Sequence, residues 1–304
     1  MRARSLRGQV VAITGAARGL GAEMARQLTA EGARVALLGL EADELARVSA
    51  TCAGSRAWEV DVTDGPALTA VAGEVVEHFG RVDALVANAG IGAGGSLLLA
   101  DPDSYDRVLE VNLMGSIRTV RAFLPHLVAS RGYVLQVASL AALMPVPLMS
   151  AYCASKSGVE AFAHALRVET AHHGVGVGVA YLSWTDTDMV RGADATPGLG
   201  EFRAQLPGVF GRTYPLEPAV ARMVRGLARR SRHVYAQPWL RGLPGLRGGL
   251  PWVVERSTRG RAAEADRALS AVGVEATRPV GAGGAADRLG AGRRGPSSEE
   301  PVQS

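Results

Sequence analysis

The chain has 304 residues, 47% hydrophobic and 20% charged, the balance of a globular protein with one large α/β domain or two small ones. The basic start at Arg2, Arg4 and Arg7 lacks a signal-peptide core, and the longest apolar stretch, Tyr133 to Met149, is broken by Gln136, Ser139, Pro145 and Pro147, unlike a membrane span. Cys52 and Cys153 suggest no disulfide framework, and neither they nor the six histidines show metal-ligand spacing, so a cytoplasmic protein without a metal site is expected.

Val10 to Thr14 reads as a buried strand and Gly19 to Glu31 as the helix that follows. Between them, Thr14-Gly15-Ala-Ala-Arg18-Gly19-Leu20-Gly21 sets three glycines where a pyrophosphate could approach the N–H groups of a helix start. Such a turn is by itself no more than a tight connection; its place after the first strand of a βαβ unit gives it weight. Arg34 to Leu38 is a second strand. An acid at its end would hold a ribose 2′-hydroxyl and repel a 2′-phosphate, but Gly39 stands there, followed by Leu40 and Glu41. Arg18 can pair with a 2′-phosphate, which favours NADP over NAD, whereas Glu41 could serve as a displaced acid.

Ala57 to Val62 is a third strand ending in Asp61-Val62, and Val82 to Ala87 a fourth followed by Asn88-Ala89-Gly90. Each segment read singly is a cap or a turn; both fall at C-terminal strand ends, where open α/β sheets bind ligands. Tyr133 to Ala138 and Val175 to Leu182 continue the alternation with helices. The pattern predicts a single Rossmann-like, doubly wound parallel sheet of about seven strands, with helices on both faces, over residues 1–236.

Tyr152-Cys-Ala-Ser-Lys156 opens a helical pattern from Ala151 to about His173, and positions i and i+4 share a face. A nearby ammonium would stabilise the phenolate and lower the tyrosine pKa, making a usable acid/base; the alternative is an aromatic anchor beside a solvated lysine. Lys156 is the only lysine among 33 basic residues, which singles out a place where arginine does not serve. Ser139, after the fifth strand, could bond a substrate carbonyl or merely cap a loop. Asn112 lies inside a helical pattern that disfavours asparagine, which suggests a buried polar role.

From about Gly8 to Ala236 the chain resembles the soluble, single-domain short-chain dehydrogenase/reductase family. Thr14-Gly-x3-Gly-x-Gly21, Asp61, Asn88-Ala-Gly90, Asn112, Ser139 and Tyr152-x3-Lys156, in that order, carry the resemblance. It implies that Gly15, Arg18, Gly19, Leu20, Gly21, Asp61, Val62, Asn88, Ala89, Gly90 and Thr187 bind NAD(P), together with Tyr152 and Lys156. It further implies Tyr152 as acid/base, Lys156 on the nicotinamide ribose, Ser139 on the carbonyl and Asn112 on a relay water. A homodimer or homotetramer is implied as well. One departure stands out: the family's Pro-Gly-x3-Thr is here Leu182-Ser-Trp-Thr-Asp-Thr187, leaving the nicotinamide end and the pocket wall, with Trp184, unsettled.

Val190 to Pro215 occupies the family's substrate-lid position and supplies Phe202, Leu206, Val209, Phe210 and Tyr214, favouring an apolar alcohol or ketone over a charged one. From Arg225 to Arg261 nine arginines face one acid, Glu255. The basic extension at 237–277, with its Trp and Leu residues, reads as solvated, as docked on a subunit or the lid, or as a peripheral contact with an anionic membrane. No nucleic-acid motif accompanies the charge. Residues 278–304 read as a disordered tail. The expected activity is hydride transfer between NAD(P)(H) and a secondary alcohol or ketone; the alternative is a non-catalytic NAD(P) sensor on the same fold.

Overall fold

β-branched residues in short runs form strands when both faces can be buried, and here they build one parallel sheet. The computed structural model describes residues 4–196 and 198–292. Its strands are β1 (Val10–Thr14), β2 (Arg34–Gly39), β3 (Arg56–Glu59), β4 (Ala84–Ala87), β5 (Tyr133–Val137), β6 (Gly176–Tyr181) and β7 (His233–Tyr235). Their order is β3-β2-β1-β4-β5-β6-β7, and every neighbouring pair is parallel. The seven-stranded doubly wound fold is therefore as expected, although β3 stops at Glu59, so that Asp61 and Val62 lie in the turn beyond it.

The helices are α1 (Gly19–Ala30), α2 (Ala42–Ala50), α3 (Gly65–Phe79), α4 (Pro102–Leu109), α5 (Gly115–Ser130) and α6 (Ser150–Glu169). They continue with α7 (Asp188–Ala195), α8 (Leu199–Ala204), α9 (Leu216–Ala228), α10 (Leu243–Leu246), α11 (Leu250–Val272) and α12 (Gly281–Gly292). Alternate side chains of β1 feed opposite cores. Val10 and Ala12 pack with Leu68, Phe123 and Leu127, while Val11 and Ile13 pack with Met24, Leu28 and Met223. β1 lies between β2 and β4, so the strand order reverses beside it and opens a crevice at the C-terminal edge.

The basic extension is packed rather than solvated. Leu240 and Leu243 enter the main core, and Val254, Ala265 and Leu269 are buried. The Arg247 guanidinium donates to the Ala142 carbonyl at 2.7 Å and pairs with the buried Glu160 carboxylate, also at 2.7 Å. Leu246, Trp252 and Val253 face solvent. No helix among the described residues is long and apolar enough to cross a membrane.

The tail departs from expectation. Where the sequence predicts disorder from Arg278 onward, α12 forms and packs on α7; residues 293–304 lie outside the described residues. Glycine and alanine suggest disorder because they offer little apolar area. Here their smallness lets two backbones touch. A Cβ on Gly281 would lie 2.6 Å from the Asp188 carbonyl oxygen, and one on Gly192 would clash with the Gly281 backbone.

Candidate active site

A single cleft runs along the crevice. It is lined by Gly15, Arg18, Gly19 and Leu20 from the first turn, by Asp61 and Val62, by Asn88, Ala89 and Gly90, and by Ser139, Tyr152, Lys156 and Thr187. All but two of the residues expected from sequence line this one cavity. The exceptions, Gly21 and Asn112, lie behind its wall and shape it.

The glycine loop turns because Gly15 adopts φ +64°, which a side chain would strain. Gly21, buried in α1, packs on the same turn: a Cβ there would come within 2.9 Å of the Gly15 carbonyl carbon and of the Asn88 amide nitrogen. Asn88 ties the loops together, donating its Nδ2 to the Thr14 carbonyl at 2.9 Å. The Thr14 hydroxyl oxygen accepts from the Asn88 and Ala89 N–H groups at 3.0 and 3.1 Å.

Arg18 pairs at two points with Glu41, at the start of α2, and lies 3.5 Å from Asp188. The Glu41 hydrogen bond raises the guanidinium pKa against a smaller effect of burial. Asp61 accepts from the Thr63 N–H and hydroxyl at 2.7 and 2.8 Å, and Arg107 reaches it at 3.2 Å.

Asn112 sits in a π-helical turn, Glu110–Met114, inserted between α4 and α5. Turns of this kind gather at functional sites, because the extra residue rotates a side chain out of helical register. Its amide grips both backbone groups of Ile91, accepting from N–H at 2.8 Å and donating to C=O at 2.9 Å. It also donates to the Ser155 hydroxyl at 3.1 Å, and Ser155 donates to the Tyr152 carbonyl. The loop after β4 is thereby fastened to the helix bearing the tyrosine.

Ser139 follows β5 and caps a 3-10 turn, accepting from the Ala141 N–H at 3.2 Å. Burial pushes the Tyr152 phenol up to about 12, against a smaller lowering influence of the neighbouring Ser139 hydroxyl. The sequence suggested the reverse, a pKa lowered by Lys156. The ammonium instead lies 5.6 Å from the tyrosine ring centroid and donates to the Val137 carbonyl at 3.0 Å. Burial pushes Lys156 down to about 8. A Cβ on Gly90 would lie 3.1 Å from Asn112 Oδ1 and 3.4 Å from the Lys156 nitrogen, so glycine keeps the floor bare above both groups.

Gln237 holds the segment that lacks Pro-Gly. Its side chain accepts from the Ser183 N–H at 2.9 Å and donates to the Thr185 hydroxyl at 3.3 Å. Thr187 caps α7 by accepting from the Val190 N–H. Trp184 packs in a small apolar cluster with Val146, Met149, Ala193 and Leu199, against Tyr152 and outside the cleft lining. The lid aromatics do not line the cleft: Phe202 is buried, and Phe210 packs edge-on against Trp239 at 5.3 Å. Met189 and Val190 supply the lining from that side.

Sequence reasoning missed Arg107, Ser155, Gln237 and Asp287. Ser155 was within reach, because it lies three residues from Tyr152 on the inner face of the helix. The other three act across distant segments, and no local pattern marks them.

The family model described as short chain dehydrogenase matches residues 9–198. Dehydrogenase/reductase SDR family member 7B of Bos taurus is 36% identical over 204 residues, covering 64% of this chain and 63% of its own. The match therefore spans less than two thirds of that relative's length. Putative oxidoreductase SadH of Mycobacterium tuberculosis (strain CDC 1551 / Oshkosh) is 34% identical over 235 residues, covering 74% and 84% of the two chains. An NAD+-bound xylitol dehydrogenase structure superposes with a TM-score of 0.68 at 23% identity, over 74% of this chain and 94% of that one, a likeness of fold.

Proposed function

The chain belongs to the short-chain dehydrogenase family, and on that premise we propose that it moves a hydride between a nicotinamide dinucleotide and a secondary alcohol or ketone, with Tyr152 as acid/base. The observation that carries this reading is the convergence of Ser139, Tyr152 and Lys156 on one cleft whose floor is bare backbone at Gly15 and Gly90. Those glycines fit a dinucleotide, because a Cβ at either would meet neighbouring backbone or polar groups. Gly15, Gly19 and Leu20 would take its phosphates, Asp61 and Val62 its adenine end, and Asn88 to Gly90, Lys156 and Thr187 its nicotinamide end.

The bound nicotinamide supplies or accepts the hydride. Ser139 and Tyr152 orient the substrate oxygen by hydrogen bonding. With its pKa near 12, Tyr152 holds its proton at neutral pH and can deliver it to an alkoxide as charge develops, which supports carbonyl reduction. Lys156 adds positive charge behind the phenol, and Asn112 keeps the Ile91 loop and the tyrosine helix in register. Ile91, Leu182, Met189 and Val190 in the lining support an apolar substrate.

Gly39 and Arg18 support NADP, and the two-point Arg18–Glu41 pair supports NAD as the second reading. Assembly as a homodimer or homotetramer belongs to the same proposal. Exposed Leu246, Trp252 and Val253 among arginines support a peripheral contact with anionic lipid; liposome co-sedimentation that Trp252→Ser leaves unchanged would discount it.

Oxidation of NADPH and NADH against a panel of ketones tests the activity, with Tyr152→Phe as control. Turnover that needs the phenol supports the mechanism, and turnover that survives its loss defeats it. Nucleotide binding without any turnover would favour the sensor reading instead.

A further inference from the structure

The nucleotide cleft has an outer wall made from the far end of the chain. Val280, Gly283, Gly284 and Asp287 line it together with Gly15, Arg18 and Asp61, and a Cβ on Gly283 would lie 3.9 Å from Arg18 Cδ. Three contacts seat this segment. The Val280 N–H donates to the Gly92 carbonyl at 2.8 Å. Gly281 and Gly192 bring the backbones of α12 and α7 together, as described above. The third is an ion pair: Arg107 donates from Nε and Nη2 to both oxygens of the Asp287 carboxylate at 2.6–3.1 Å.

Arg107 is shared. The same guanidinium donates to the Thr63 hydroxyl at 3.1 Å and to Asp61 at 3.2 Å, so one side chain joins the turn after β3 to α12. Its side chain is 19% exposed and that of Asp287 5%, so water screens the pair poorly. Residues of this segment and of the glycine loop line the same cleft.

We propose that residues 278–292 are part of the nucleotide site, a strap along its adenosine side, and that Arg107 is the positioning residue that latches this strap to Asp61. The proposal rests on the nicotinamide-dinucleotide reading. A cofactor bound beneath the strap leaves only after the Arg107–Asp287 pair opens, so the pair sets the exchange rate. α12 also packs on α7, which follows Thr187 directly, so the strap couples the adenosine end to the nicotinamide end.

Stopped-flow binding of NADH and NADPH to the full chain tests this, comparing the native protein with Asp287→Asn and Asp287→Lys. We expect cofactor dissociation to accelerate by about tenfold, more for lysine than for asparagine, since breaking a buried charge pair acts mainly on the off-rate. A merely structural strap would lower the melting temperature and leave both rates unchanged; that result overturns the proposal. Hydrogen exchange on the native protein gives a second arm that needs no variant. Slower exchange at 281–292 with NADH or NADPH supports the strap, and exchange there indifferent to a nucleotide that binds overturns it. If the native chain binds neither nucleotide, the oxidoreductase reading fails first and takes the strap with it.

Discussion

Gly21→Ala should weaken nucleotide binding before it unfolds the chain. The new methyl would sit within 2.9 Å of the Gly15 carbonyl carbon and of Asn88 Nδ2, and closer still to the Gly15 oxygen. Backbone on one side and an anchored amide on the other leave nothing flexible to swing away, so the loop itself must retreat. Overpacking of this kind costs about 1–3 kcal/mol. A retreated loop can relieve that strain in the free protein but must restore it to receive a phosphate. The penalty therefore falls on binding, as roughly a ten- to hundredfold rise in Kd. Quenching of tryptophan fluorescence by NADH or NADPH measures it, with Gly73→Ala as control. Gly73 is exposed within α3 and a Cβ there meets nothing within 4 Å, so alanine should add about 0.8–1 kcal/mol of stability and leave Kd alone. Native affinity in Gly21→Ala would refute the close packing between α1 and the loop.

Glu41→Gln should release the Arg18 charge and move the NADPH-to-NADH ratio of kcat/KM toward NADPH by about tenfold, since a charge-assisted bond contributes about 1.5–3 kcal/mol; an unmoved ratio would remove Glu41 from cofactor choice. Asn112→Ala leaves both backbone groups of Ile91 without their partner and should lower stability by about 2–4 kcal/mol, read from the urea midpoint. A loss under about 0.5 kcal/mol, the scale of surface changes, would show that the loop does not need it. The reduction rate should fall as pH rises above about 8, where buried Lys156 loses its proton, and Lys156→Arg should abolish that fall whatever its absolute rate. The stability sign is opposite. Between about 8 and 10.5 the unfolded chain holds the extra lysine proton, so this group raises stability as pH climbs, and a urea midpoint that drops specifically with Lys156 in that window would contradict its burial.

Six of the seven strands were legible because short apolar runs bounded by turns and helical patterns are local signals; β7, three residues with one β-branched side chain, was not placed. The Tyr152–Lys156 face was legible for the same reason: helical spacing needs no tertiary information. What Lys156 does with its charge was not, because its partner, the Val137 carbonyl, belongs to a strand nineteen residues away. The tail was misread on composition. A segment poor in large side chains can still pack where glycines on both partners let backbones meet, and Gly192 and Gly281 are far apart in the chain. Likewise, nothing near Leu182-Ser183 shows that Gln237 braces the turn lacking Pro-Gly.

Lys156 is both the sole lysine and a group sealed inside the cleft. Protein grown on lysine carrying isotopic nitrogen would therefore bear one side-chain label, in the lining of the cleft. Magnetic resonance could then follow that nitrogen through ligand addition or titration with no assignment problem, a spectroscopic window that an ordinary lysine-rich surface would hide.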